Sequence, residues 1–400
     1  MCLEFTISDA WKALSRLCLV NIFSLAIVVS GNCWAAGYGS ITIGALLDLS
    51  GPGSINGEAA YKAARLALED INLQGGIRGH RLQLSVFDTR GQKELLISGA
   101  RRLQREQHAR LLLGPTNRNN VSSLKDYAEA NKIPLILIQG LDPLLSFRNK
   151  QARWTFSTTL NFDAELKALF SYFRKKHYET LGVLLFNSPK LRKVGLWLKG
   201  YTPEYGLRVS CIQVFNPYQD DLAMKLEYIS RCDPDIAILW ANWQEAGLVQ
   251  GNLKNSDVPM AISHQLFFND PKTIALPLSS LIYVAVPPVL CPQSIPRSSQ
   301  AYFMARRFAD SWGADYEGMA PEQKLVAGQA WDGLRLACRA ISLATTLSHE
   351  AIRSSLEEKI GPFVGVTGTY QPEKRDHSGL RHDSLLILRC MGAKWSAVTR

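Results

Sequence analysis

The chain has 400 residues, 46% of them apolar and 20% charged, with a formal net charge of +10 at neutral pH. That length exceeds what one ordinary core supports and points to two lobes, while the composition excludes a disordered or low-complexity chain. The basic residues are scattered over Arg101–Arg102, Arg174–Lys176, Lys190–Lys193 and Lys374–Arg375 without interleaved aromatics, which argues against a nucleic-acid platform.

The N-terminus reads as a cleaved secretory signal over residues 1–35. Lys12 and Arg16 precede the run Leu17–Ser30, broken by Asn21 and Ser24, and Cys33 and Ala35 supply small residues before the cleavage point. The run is too short to span a bilayer. A lipoprotein signal ending at Cys33 is the weaker reading, because Asn32 precedes it. Loss of this segment removes two basic residues (Lys12, Arg16) and two acidic ones (Glu4, Asp9), so the charge is unchanged. Cys211, Cys232, Cys291, Cys338 and Cys390 remain, none at metal-site spacing. One or two disulfides are open in an oxidising compartment, with Cys211 and Cys232 the nearest pair, but buried free thiols are preferred.

Short apolar strands then alternate with amphipathic helices. The pattern predicts a strand over Ile41–Leu49, a helix over Gly57–Leu73 and a second strand within "GGIRGHRLQLSVFDT". A helix over Leu95–Gln107, a strand over Ala109–Leu113, a helix over Ser122–Asn131 and a strand over Pro134–Ile138 follow. The alternation restarts with helix Phe162–Lys176, strand Leu181–Phe186, helix Val194–Tyr205 and strand Arg208–Phe215. Helix Leu222–Arg231, strand Ile236–Trp240, helix Glu245–Leu253 and strands Met260–Ser263 and Leu281–Val286 complete it. "PPVLCPQSIP" reads as irregular. Helices are predicted over Ser299–Trp312, Glu322–Ala344 and Ser348–Lys359, with strands to the end. The fold class is therefore α/β, two doubly wound parallel-sheet lobes facing across a cleft. Ligands in such sheets sit beyond the carboxyl ends of the strands, so the loops after strands are the places to look.

In one of them, "LLLGPTNRNNVSS", Arg118 sits where helix N–H groups already favour an anion and adds a fork suited to carboxylate or phosphate. "GPGSING" spaces Gly51, Gly53 and Gly57 one residue too widely for a dinucleotide fingerprint. Asp48 and Asp88 end strands, where carboxylates commonly cap the next helix. Trp240 belongs to a strand, leaving Trp243 as the tryptophan of the following loop. No nucleophile, base and oxyanion donor assemble, so the sequence supports neither catalysis nor a cofactor or metal.

With these elements in order, the chain resembles the type I periplasmic solute-binding proteins, of the leucine/isoleucine/valine-binding kind that feeds ABC importers. The resemblance is carried by "ITIGALLDLSGPGSINGEAAYKAARLALEDINLQGGIRGHRLQLSVFDT", "LLLGPTNRNN", "NKIPLIL", "DPDIAIL" and "FVGVTGTYQPE". It implies three crossover segments, near Ser157–Asn161, Val286–Val289 and Pro362–Thr367. They would divide the chain into one lobe of residues 40–157 and 288–362 and another of 158–287 and 363–400. It also implies hinge closure on a small molecule, a monomer in the periplasm and an ABC permease of the inner membrane as partner. A periplasmic sensor serving a membrane receptor kinase is the alternative.

The binding positions depart from the family pattern. Asn117, Arg118 and Asn119 stand where small hydroxyl residues usually hold the ligand carboxylate. Gly140 and Leu141 replace an Ala-Thr pair, and His264 aligns with the acidic residue that pairs with the ligand ammonium. Asn56 and Asn242 take the places of aromatics. A zwitterion would then leave a buried Arg118 unpaired, at a cost of about 3–5 kcal/mol. The expected ligand is anionic or carboxylate-bearing, with Arg118 as clamp, Asn117, Asn56 and His264 as donors and Trp243 and Leu141 as apolar wall.

Overall fold

The computed structural model describes residues 39–140, 152–187, 194–195, 198–216, 219–240, 258–264, 281–391 and 394–398. The signal segment, the helix expected over 245–253, and Leu141, Asn242 and Trp243 lie outside them.

The first sheet is built from β1 (Ile41–Leu47), β2 (Leu82–Asp88), β3 (Leu112–Leu113), β4 (Leu135–Leu137) and β5 (Thr155–Ser157). They stand in the order β2-β1-β3-β4-β5, all parallel. The helices between them are α1 (Ser54–Leu73), α2 (Lys93–Arg105) and α3 (Val121–Asn131). In α2 the buried residues Leu96, Gly99, Ala100 and Leu103 recur at i, i+3, i+4 and i+7, one stripe for one sheet face.

After α4 (Phe162–Lys175) the winding repeats with β6 (Thr180–Phe186), β7 (Arg208–Phe215), α5 (Leu222–Arg231), β8 (Ile236–Trp240), β9 (Met260–Ile262) and β10 (Ile282–Val286). These strands are parallel in the order β7-β6-β8-β9-β10, the same 2-1-3-4-5 order as the first sheet. α4 begins cleanly because Asn161 accepts from the Ala164 N–H at 2.7 Å, with Asp163 and Glu165 in the first turn and Arg174 and Lys175 in the last.

The chain then returns to the first sheet with α6 (Gln300–Trp312), α7 (Asp315–Gly318), α8 (Pro321–Leu343) and α9 (His349–Glu358). β11 (Phe363–Val364) and β12 (Thr369–Tyr370) pair with each other. β13 (Leu386–Met391) extends the second sheet antiparallel to β10, and β14 (Lys394–Ala397) pairs antiparallel with β13 at its edge.

One core joins β1, β3 and β4 to α1, α6, α8 and α9, and a second fills the opposite face under α2 and α3. The other sheet has its own cores, under α4 and under α5. The chain therefore passes between the two sheets at 158–161, 287–289 and again before Tyr370, which lies in the α4 core.

Most predicted boundaries hold within three residues. β5 has no counterpart among the predicted strands and only its last residue, Ser157, falls in the segment read as the first crossing, while the Pro-rich stretch contains two 3-10 turns, Pro288–Leu290 and Pro292–Ser294. Asp48 and Asp88 do not cap helices, which corrects that expectation. Asp88 Oδ1 accepts from the N–H groups of Leu49 (2.9 Å), Ser50 (3.2 Å) and Arg90 (3.1 Å), binding two loops together. Asp48 takes the Thr89 hydroxyl, and α1 starts at Gly53 with no side-chain cap. Cys211, Cys232, Cys291 and Cys338 are free thiols. Desolvation, and then Cys232 beside it, push the Cys211 thiol up to about 12.

Gly57 has a packing role that the wide glycine spacing alone does not reveal. A Cβ there would sit 1.8 Å from the Asp48 carbonyl oxygen, so only glycine lets α1 leave β1 so closely.

A buried polar relay ties α8 to two of the crossings. Asp332, fully buried, accepts from the N–H groups of Val366 (2.8 Å) and Thr367 (2.8 Å) and meets the Thr367 hydroxyl at 2.5 Å. Thr367 Oγ1 lies 2.6 Å from Tyr370 Oη, which donates to the Thr158 carbonyl at 2.8 Å. Thr158 Oγ1 in turn donates to the Gln329 carbonyl at 2.8 Å.

The hydroxyl hydrogens can be counted. Tyr370 gives its one hydrogen to Thr158, so the contact between Tyr370 and Thr367 needs the Thr367 hydrogen. If Asp332 is ionised, Thr367 donates to it instead, and two oxygens face each other with no hydrogen between. The relay is complete when Asp332 carries a proton. Burial acts in the same direction, pushing this carboxyl up to about 6 against the hydrogen bonds from Thr367 and Val366 and the charge of Arg335.

Two outcomes follow. Gly57→Ala should lower the unfolding free energy by about 3 kcal/mol, at the top of the overpacking range, as read by urea denaturation. An acid with a raised folded pKa contributes stability below its unfolded value that is lost as pH rises through the folded one. Asp332→Asn sets an amide against the Thr367 N–H and should cost about 1–3 kcal/mol at pH 5. Because Asn does not titrate, urea curves at pH 5 and 7 should show that gap narrowing at pH 7.

Candidate functional site

The carboxyl ends of β3, β4, β8 and β9 open onto one cleft of about 640 Å³, measured out to open solvent. This is where two doubly wound sheets are expected to present a ligand site. The first sheet contributes Arg118, Gln139 and Gly140. The second contributes Trp240, Ser263 and His264, with Phe162 and Glu165 from α4. The apolar wall is buried: Leu160, Phe162 and Trp240 are each under a tenth exposed, and the Phe162 and Trp240 rings meet edge to face at 4.7 Å.

α8 closes the cleft along one stripe. Glu322, Leu325, Val326 and Gln329 fall at i, i+3, i+4 and i+7, so all four line it. With its amide oriented to suit its neighbours, Gln329 donates to the Ile138 carbonyl (2.8 Å) and accepts from the Leu160 N–H (3.0 Å). It thereby joins the end of β4 to the first crossing.

Arg118 lies in a short 3-10 turn, Arg118–Asn120, and its side chain opens to the cleft. Nε donates to Gln139 Oε1 at 3.3 Å; the two terminal nitrogens have no hydrogen-bond partner among the described residues. Crowding by protein desolvates the guanidinium and lowers its pKa, while the charge of Glu322 acts the other way.

Across the cleft, Glu165 is fully buried. Its Oε1 accepts from the His264 N–H (2.6 Å) and its Oε2 faces His264 Nδ1 at 2.7 Å. Both carboxylate oxygens are thus committed to His264, fixing Nδ1 as the protonated nitrogen. Glu322 is exposed at the cleft mouth, and its Oε1 accepts from Asn56 Nδ2 at 3.3 Å.

Of the residues singled out by sequence, Arg118, Gly140 and His264 come together here. Asn117, Asn119 and Asn56 are not among the lining residues. Asn117 is consumed locally, because its Oδ1 accepts from the Asn119 N–H (3.0 Å) to cap the 3-10 turn. Asn56 sits in the first turn of α1 and reaches the cleft through Glu322. Trp240, assigned by its pattern to a strand alone, does line the cleft.

The sequence reading missed Glu165, Glu322, Gln139 and Gln329. A signal existed for two of them. Glu165 is flanked at i−3 and i+4 by Phe162 and Leu169, both buried, and Gln329 interrupts the buried run Leu325–Leu334. The charge of the cleft is corrected accordingly. It holds one guanidinium and two carboxylates, so the carboxylate that His264 appeared to have displaced has counterparts on α4 and α8.

The sequence profile of the family described as "Periplasmic binding protein" matches residues 40–387. A Leu/Ile/Val-binding protein homolog 3 from Brucella melitensis is 34% identical over 80 residues, 20% of this chain and 22% of that protein. The Leu/Ile/Val-binding protein BraC3 from Rhizobium johnstonii is 26% identical over 111 residues, 28% of this chain and 30% of that protein. The chain therefore matches about a quarter of the length of these curated relatives. A solved structure of a putative branched-chain amino acid ABC transporter from Rhodospirillum rubrum superposes with a TM-score of 0.71 at 17% identity. That superposition covers 90% of this chain and 100% of the other. The family profile spans nearly all of the chain outside its first 39 residues, and the chain belongs to the periplasmic binding protein family.

Proposed function

We propose that the chain is the exported solute-binding component of an ABC importer, a binder rather than an enzyme, working as a periplasmic monomer. Residues 1–35 would be its signal. One lobe would comprise residues 40–157 and 288–362, the other 158–287 and 363–400, closing on a small solute that is then handed to an inner-membrane permease. The names of the curated relatives and the family match support this reading.

The solute carries a carboxylate held by Arg118. One observation bears most of that weight: a guanidinium still open to solvent lines the cleft with its two terminal nitrogens unpaired among the described residues. Burying it on closure without an anion would leave a desolvated charge unsatisfied. A carboxylate supplies two parallel acceptors for that fork. Phe162, Trp240, Leu325 and Val326 would then take the apolar part of the solute.

Thermal shift and tryptophan fluorescence on the mature chain test this, with Trp240 in the cleft as a reporter. The panel is leucine, valine, pentanoate, benzoate and the neutral pentanamide. A carboxylate at about 100 times its dissociation constant should stabilise the fold by about 2.7 kcal/mol. Arg118→Ala should weaken it by at least about thirtyfold, the lower end of what losing one partner of a buried charged pair costs. Tight binding of leucine with Arg118→Ala silent would mean that the family's usual ligand is held by other groups.

A further inference from the structure

We propose that Glu322 sets the charge state the cleft accepts: a monocarboxylate is held, and a dicarboxylate of the same length is rejected. The inference rests on the reading of Arg118 as the carboxylate partner and adds what the rest of the lining would do to a second charge.

Arg118 is the one Lys or Arg among the described lining residues. A first carboxylate occupies it. A second anionic group elsewhere in the cleft would meet Glu322 at the mouth or Glu165 at the back. Glu165 cannot swing away from such a group, because His264 holds both its oxygens. Glu322 is held from the side by Asn56. It also stands in the first turn of α8, where the helix N-terminus would otherwise welcome an anion. Its carboxylate fills that role and turns the most anion-friendly point of the mouth into a repulsive one. The remaining polar groups, Gln139, Ser263 and Gln329, are neutral and give a second charge no compensation. His264 already points one nitrogen at Glu165. Like charge placed against a ligand is an effective way to build selectivity without adding a contact.

Three acids of closely matched length form the test: pentanoate, pentanedioate and the monomethyl ester of pentanedioate. The ester has the bulk and the acceptors of the diacid but one charge. In isothermal titration at pH 7.5, the wild-type chain should bind pentanoate and the monoester at least about tenfold more tightly than the diacid, a difference of about 1.4 kcal/mol. Glu322→Gln keeps an acceptor for Asn56 and removes the charge, and it should shrink the ratio of monoester to diacid affinity by about tenfold. Glu322→Asp keeps the charge and should retain the discrimination; thermal melts of both variants report that they are folded.

Equal binding of diacid and monoester by the wild type overturns the inference and leaves the Arg118 reading standing. So does a ratio that Glu322→Gln does not move. If none of the three acids binds, the carboxylate reading itself falls and takes this inference with it.

Discussion

The structure depends on what Asp332 holds. Its carboxyl group lies inside α8 with no solvent contact, and it grips the chain at Val366 and Thr367 just before the C-terminal segment returns to the second sheet. Gly365 must be glycine for this grip, since a Cβ there would stand 2.4 Å from the carboxyl oxygen. From Thr367 the relay runs through Tyr370 to Thr158 and on to Gln329. Two crossings and one helix are thereby fixed relative to each other by a chain of single hydrogens. Such networks are worth most when every member is satisfied, and a missing hydrogen costs the whole desolvation of the group it leaves.

The same helix connects that anchor to the cleft. Gln329 lies one turn before Asp332 and reaches both the end of β4 and the first crossing. Val326, Leu325 and Glu322 continue the stripe out to the mouth. A displacement of α8 along its axis would therefore move the anchor and the cleft wall together. The apolar residues at 325 and 326 pin that register, because a rotation bringing charged neighbours such as Lys324 inward would bury an unpaired ammonium.

How much of this was legible in the sequence follows from how local each signal is. The strands and helices were, because period 2 and period 3.6 patterns are written within a few residues. So was Arg118, a charged residue in a loop between a strand and a helix. The 2-1-3-4-5 order and the pairing of β13 with β10 were not, since neither leaves a local mark. Asn117 was misread for a related reason. A side chain in a binding loop and a side chain that caps a 3-10 turn have the same sequence, and the N–H of Asn119 two residues on was the nearer claimant. Glu165 and Glu322 come to the cleft from α4 and α8, about 50 and 200 residues beyond Arg118, and only the winding of both sheets brings them there.

That distance explains why reading the loops after strands one at a time gave a positively charged cleft. Arg118 and His264 carry the basic character of their own loops. The compensating carboxylates sit on helices, one locked against His264 by both oxygens and the other steadied by Asn56. A cleft that must close over a charged solute has to end near neutrality, because the low dielectric magnifies any residue of charge. One guanidinium with two carboxylates, one of them bound to an imidazole, already sums to −1 with that imidazole neutral, so every further anionic group moves the cleft away from balance. The selectivity of such a site then resides less in Arg118, which any small carboxylate could satisfy, than in the acidic groups that limit how much more negative charge can follow.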